Sequence, residues 1–378
     1  MKHKIYLDNN AATALDPRVY SAVIDCLAKD YGNPSSLHSF GRESRALITR
    51  ARHTIAQYFQ FKPQEVVFTS SGTEALNMVI RGMCSGSGKG HIITSDVEHA
   101  AVYTTVKLME IQGCSATYLS PGLLGAVTPD VVKAAIRSDT RLIALMAVNN
   151  ETGVKTDIAA IAAIALEAKI PFLVDGIALL GKDPFTIPSG VSAICFSGYK
   201  IHAPKGIGLA LVRSSLKLQP LISGGEQEFG RRGGTENVPG IVGFAEAIRI
   251  LTEVLPAASD RMLALRNQFE EGLARVIPGM IVNGTGPRVS NTSNIAFPGV
   301  DGEALLTALD IEGIAASHGS ACASGALEPS RILLNMGVPV EVVNASIRFS
   351  ISRMTTSEEI QRAVEIIAKL VQKNTRIV

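Results

Sequence analysis

The chain has 378 residues, 46% of them hydrophobic and 19% charged, enough for two domains with substantial cores and an ordinary balance for a globular protein. Its 36 basic and 34 acidic residues leave a net charge of +2, too weak and too evenly spread to point to nucleic acid or an anionic membrane surface. The N-terminal MKHKIYLDNNAAT lacks the apolar core of a signal peptide, and the most apolar stretch, 158–174, is broken by Glu167 and Lys169; no membrane partner is expected.

In chain order, Val19, Val23, Cys26, Leu27 and Tyr31 stand at helical spacing over 18–31, and 42–59 reads as a second helix. Short apolar runs, often β-branched, follow at 65–69, 92–94, 116–119, 142–148, 171–174, 193–197 and 208–212. Helical patterns at 73–81, 98–109, 129–136 and 158–169 separate several of them. This alternation predicts an α/β architecture with a mostly parallel sheet and helices on both faces. Strands without polar alternation fit a buried sheet. Beyond residue 235 two long helices are predicted, 238–255 and 259–277, with Pro256 as the break between them. A mixed strand, helix and loop pattern completes the chain. A domain boundary is therefore expected near residue 256.

The five cysteines, Cys26, Cys84, Cys114, Cys195 and Cys322, form no C-x-x-C pair and read as free thiols of a reducing compartment. Cys26 on a helix stripe and Cys195 in an apolar strand look like small core residues. Cys322 differs. It sits in Ser317-His318-Gly319-Ser320-Ala321-Cys322-Ala323-Ser324-Gly325, a run of small and polar residues that predicts a mobile loop with an accessible thiol.

Three further motifs fall at predicted strand ends. Thr69-Ser70-Ser71-Gly72-Thr73-Glu74 lies where a strand gives way to a helix, whose free N–H groups and dipole favour a phosphate; alone it would be a plain N-cap. Asp175 ends the apolar run 171–174, where its carboxylate could keep a ring nitrogen protonated; alone it would be a loop aspartate. Lys200 in Ser197-Gly198-Tyr199-Lys200 follows the next strand and is a candidate Schiff-base former, although a single lysine is ordinarily a surface residue. Their order, each at the carboxyl end of a strand, is what gives them weight together.

With these runs TSSGTEALN, DVEHAAV, AVNNETG, VDG, SGYKIHAPKGIG, RRGGTEN, GSACASG-LEPS and SIRFSISR, the chain resembles the cysteine desulfurases of the NifS/IscS type, class V members of the fold type I pyridoxal-phosphate (PLP) enzymes. The resemblance runs from Leu7 to the C-terminal helix. It implies a seven-stranded, mostly parallel large domain over 14–256, and a smaller α+β domain of 1–13 and 257–378 that carries the Cys322 loop. Lys200 would hold PLP, Asp175 would pair with its pyridine nitrogen, and His99 would stack on the ring and share in proton transfer. Gly72, Thr73, Ser197 and Tyr199 would hold the phosphate, joined by Thr235 of a partner subunit in a homodimer. Asn150 would lie by cofactor and substrate, Arg348 would bind the L-cysteine carboxylate, and Cys322 would take the sulfur. By position alone, His318, four residues before Cys322, is either its local base or a loop histidine with no role. No metal is implied. The sulfur would pass to an acceptor protein, plausibly an iron–sulfur scaffold, in the cytoplasm.

Two positions depart from the family pattern. Ala178 stands where VDxxQ has glutamine, a donor to the cofactor's phenolic oxygen, and Tyr199 stands for the histidine of SGHK. Losing the glutamine predicts a cost of about 0.5–1.5 kcal/mol in cofactor tuning. His202, three residues beyond Tyr199, would be the nearest compensating donor. A selenocysteine lyase, another class V transaminase, and a detuned homologue serving only as an assembly partner are the competing readings.

Overall fold

The computed structural model describes residues 4–84, 90–319 and 329–374. Strand β1 (Ile5–Tyr6) is followed by helices α1 (Pro17–Lys29) and α2 (Ser39–Phe59). Asp16 caps α1 by accepting from Arg18 N at 2.9 Å, and Pro17 occupies the first helical position. Strands and helices then alternate: β2 (Val66–Thr69), α3 (Gly72–Cys84), β3 (His91–Ser95), α4 (Ala100–Ile111), β4 (Ser115–Leu119), α5 (Pro129–Ala134), β5 (Thr140–Met146), α6 (Ile158–Glu167), β6 (Phe172–Asp175), β7 (Ala193–Ser197) and β8 (Gly208–Val212).

The seven strands β2 to β8 form one sheet in the order β2-β8-β7-β6-β5-β3-β4. Strand β8 runs antiparallel to both neighbours, and the other six share one direction. All residues of β2, β3, β6, β7 and β8 are buried, which is why their sequences show no polar alternation. The common direction brings the carboxyl ends of β2, β5, β6 and β7 to one edge. Gly208, paired with both Thr69 and Ser197, lets that edge close: a Cβ there would lie 2.2 Å from the Ser71 carbonyl carbon.

Two expectations need correction. Helix α7 (Val238–Val276) runs unbroken for 39 residues with Pro256 inside it, not as two helices. Its first half is buried in the large core, from Val238 to Leu255, and its second half in another, through Met262, Leu265, Phe269 and Leu273. Burial at both ends holds the helix together across the one N–H that proline lacks. Of the anticipated stripe over 18–31, only Val19 and Cys26 are buried; Leu27 is 60% exposed, and Tyr31, beyond the end of α1, 77%.

The second core contains β9 (Ile281–Val282), β10 (Thr292–Ala296), α8 (Gly302–Ile311), β11 (Ile314–Ala315), β12 (Ser346–Ser350) and α11 (Ser357–Asn374). Short helices α9 (Arg331–Asn335) and α10 (Val340–Asn344) precede β12. Strands β12, β10 and β9 pair in that order, antiparallel throughout. The start of the chain belongs here: β1 pairs with β11, and Leu7 O accepts from Ser350 N at 2.7 Å.

Candidate active site

At the carboxyl edge of the sheet lies a cavity with an empty volume of about 810 Å³. Its walls include Gly72, Thr73, His99, Asn150, Asp175, Ser197, Tyr199, Lys200 and Arg348, brought together from six separated places in the sequence. Ala178 also lines it. Thr235 does not; it is exposed and lines a separate cleft with Ser70, Gly206 and Arg232. Cys322 lies outside the described residues.

The phosphate-type end is built by β2 and α3. Helix α3 begins at Gly72, where a Cβ would come within 2.3 Å of Ile177 Cδ1 and 3.3 Å of Ser197 Cβ, so any larger residue would have to displace the Ile177 side chain and crowd Ser197. Ser71 Oγ accepts from Glu74 N at 3.1 Å and caps the turn. Ser197 Oγ is buried with no hydrogen-bond partner among the described residues. A helix N-terminus, a glycine cradle and an unspent hydroxyl suit an anionic group.

Asp175 is 5% exposed, and its Oδ1 accepts from Ile177 N at 3.0 Å. Burial lifts its carboxyl to about 6, against the opposing pulls of that N–H and the Lys200 charge. A neighbouring ring cation would restore the carboxylate. Lys200 ends a single helical turn after β7; its Nζ donates to Ala11 O at 3.0 Å and to Asn10 O, and stands 4.8 Å from the centre of the Tyr199 ring.

His99 caps α4, its Nδ1 accepting from Ala101 N at 3.0 Å. That bond fixes the tautomer, so Nε2 carries the proton. Burial first, then the Lys200 and Arg331 charges, lower its pKa to about 4. Arg348, on β12, is 2% exposed; Nη2 meets Asp8 Oδ1 at 2.9 Å and Nη1 donates to Asn150 O at 3.1 Å. Arg348 Nε and Asn150 Oδ1 are buried without partners among the described residues.

His202 does not replace the missing glutamine. Its Nδ1 is committed to Ala14 O at 2.7 Å, its backbone N–H donates to Thr13 Oγ1 at 2.7 Å, and it is absent from the cavity wall. His318 Nδ1 bonds Ser346 O at 2.8 Å, which leaves Nε2 to accept a proton.

Sequence reasoning missed several residues here. Asn10 donates to Thr292 Oγ1 at 2.9 Å and Asn150 O at 3.2 Å, tying the N-terminal segment over the cavity; its only signal was the DNN run. Glu98, 1% exposed, accepts from Ser95 Oγ at 2.6 Å and is pushed up to about 8 by burial. Lys182 is 2% exposed in the cavity wall.

The aminotransferase class-V family model matches residues 5–363. A protein named cysteine desulfurase from Trichormus azollae is 43% identical over 98% of this chain and 93% of its own. A solved structure described as a NifS-like protein superposes with a TM-score of 0.91 at 32% identity, covering 98% of this chain and 100% of that one. Another, described as SspA in complex with cysteine, gives 0.82 at 30% identity over 93% of this chain and 100% of that one. The chain therefore belongs to the class-V aminotransferase family, among its cysteine desulfurases.

Proposed function

We propose that the protein is a PLP-dependent cysteine desulfurase that converts L-cysteine to L-alanine and leaves the sulfur as a persulfide on Cys322. The observation that carries this is the convergence of the Lys200 amine, the buried Asp175 carboxyl and the unspent Ser197 hydroxyl on one cavity. That donor set fits PLP: a phosphate at Gly72, Thr73, Ser197 and Tyr199, a ring nitrogen at Asp175, and an aldehyde at Lys200. When bound, PLP supplies an aldehyde carbon for amine capture and an electron-withdrawing pyridinium ring.

Lys200 would hold the cofactor, and its amine would take the substrate's Cα proton. His99 suits a stacking and donating role instead, because its Nδ1 lone pair is occupied and its Nε2 already protonated. Arg348, preset by Asp8 and Asn150, receives the substrate carboxylate through its remaining N–H groups. Cys322, deprotonated with help from His318, attacks the substrate sulfur. The S–S bond forms as the Cβ–S bond breaks, and protons added at Cβ and Cα complete alanine. Glutamine's absence at Ala178 bears on cofactor tuning, not on the reaction type.

The same reading assigns 14–256 to the cofactor domain and 1–13 with 257–378 to the second. It makes the enzyme a homodimer in which the exposed Thr235 serves the partner's phosphate site. The free thiols Cys26, Cys84, Cys114 and Cys195 support a reducing, cytoplasmic location, and an iron–sulfur scaffold is the assigned acceptor. An intact Lys200–Asp175 cavity argues against a purely structural homologue. Purified protein with added PLP should absorb visible light and release alanine from cysteine. Protein that stays colourless with PLP overturns the assignment.

A further inference from the structure

Three successive carbonyls in the turn from β3 to α4 are each met by a side chain from elsewhere in the molecule. Asp96 O accepts from Arg331 Nη1 and from Asn335 Nδ2, the latter at 2.7 Å. Val97 O accepts from Asn149 Nδ2 at 3.3 Å, and Glu98 O from Arg331 Nη2 at 2.5 Å. The Arg331 guanidinium also lies 4.1 Å from the centre of the Tyr103 ring on α4. The contacts of Arg331 therefore bracket His99, falling on residues before it and on one after it.

Arg331 is the first residue of α9, and that helix is itself anchored. Ser330 caps it, accepting from Leu333 N at 3.2 Å, and donates to Glu151 Oε2 at 2.5 Å. Ile332, Leu333 and Met336 pack with Val97 in one small buried cluster. A fork onto two carbonyls suits the planar guanidinium, whose donors are fixed relative to each other; an ammonium has no such pair. His99 depends on this grip, because its Nδ1 is occupied by Ala101 N and its ring follows the backbone of the turn. A displacement of about 1 Å in a reacting group can lower a rate about 100-fold.

The geometry points to Arg331 as a positioning residue for His99: it fixes the turn that sets the His99 ring in the cavity, and it acts on the reaction through that ring. This rests on the reading of His99 as the residue that stacks on PLP. A residue that merely tied α9 to α4 would affect activity whether or not the imidazole were present. The two roles separate experimentally.

The test is a double-substitution cycle on full-length protein loaded with PLP, reading kcat for alanine release in Arg331→Met, His99→Ala and the two combined. Arg331→Met should lower kcat about 10-fold and change KM for cysteine less than about threefold, since Arg348 is the residue assigned to the substrate carboxylate. In the His99→Ala background the same substitution should change kcat by less than about twofold. Losses that multiply in the double variant overturn the proposal, as does wild-type kcat in Arg331→Met. Thermal melts identify a variant that fails to fold; should Arg331→Met do so, Arg331→Lys, which can hold one carbonyl at a time, runs the same cycle. Wild-type kcat in His99→Ala brings down the role of His99, and wild-type protein that stays colourless with PLP brings down the cofactor reading; either takes this proposal with it. Multiplying losses in a coloured, active enzyme bring down only the role of Arg331.

Discussion

Glu98 shows how a single buried acid couples the site to pH. Its Oε2 has no partner among the described residues, and burial keeps it protonated up to about 8, against 4.5 for an exposed glutamate. Between those values the unfolded chain releases a proton that the folded chain retains. Its stabilising contribution is thus full below pH 4.5 and fades as pH rises towards 8. Glu98→Gln keeps the shape and removes the titration, so urea unfolding at pH 5 and pH 8.5 should show the variant gaining on wild type at the higher pH. Parallel pH slopes would contradict this. For Arg348→Lys, loss of the forked contact should raise KM for cysteine roughly 10–100-fold, with kcat less affected. Cys322→Ala should cut alanine release by about 100-fold or more while leaving the cofactor's visible absorption unchanged; steady-state alanine assays beside the spectrum test it. Lys200 and Asp175 are readable in the sequence because each follows an apolar run. Lys182 and Glu98 are not: one lysine after a glycine looks like a surface residue, and burial is decided by strands far away in the chain.

Among elements, the strands were the most legible, since complete burial leaves uninterrupted apolar runs that need no tertiary information. Helix α7 was not, because proline ends helices in isolation and only two cores gripping its halves override that preference. The segment after β8 holds another feature invisible in sequence. Arg52 of α2 forks onto Glu228 at 2.7 and 2.9 Å, with 8% and 1% side-chain exposure, and Phe68 N donates to the same carboxylate at 2.9 Å. Glu228 and Phe229 both have positive φ, 51° and 61°, a conformation held against local preference just before the RRGGTEN run. Arg52→Met should strand the buried Glu228 carboxylate and cost about 3–5 kcal/mol, read from urea denaturation. A cost under about 1 kcal/mol would mean the pair is not needed to hold that segment.

For the whole molecule, the two cores meet through α7 and through the N-terminal segment. Leu7 is buried in the second core, Asp8 braces Arg348, and Asn10 and Ala11 offer carbonyls to Lys200. Deleting residues 1–13 should therefore lower the melting temperature and abolish visible absorption on adding PLP, although no deleted residue is a catalytic residue. Absorption that survives the deletion would show that the cavity forms without it.

The same segment imposes an order in time. Asn9 Nδ2 bonds Ser350 O across a separation of 341 residues, so the segment around Asn9 waits for a residue made 341 positions later. At about 5–20 residues per second that wait is on the order of 20–70 seconds. Through that interval the α/β sheet can form, but Lys200 lacks its carbonyl partners and Arg348 does not yet exist. Loading with cofactor is, by this geometry, an event that follows translation, and a nascent chain stalled before β12 carries no working site.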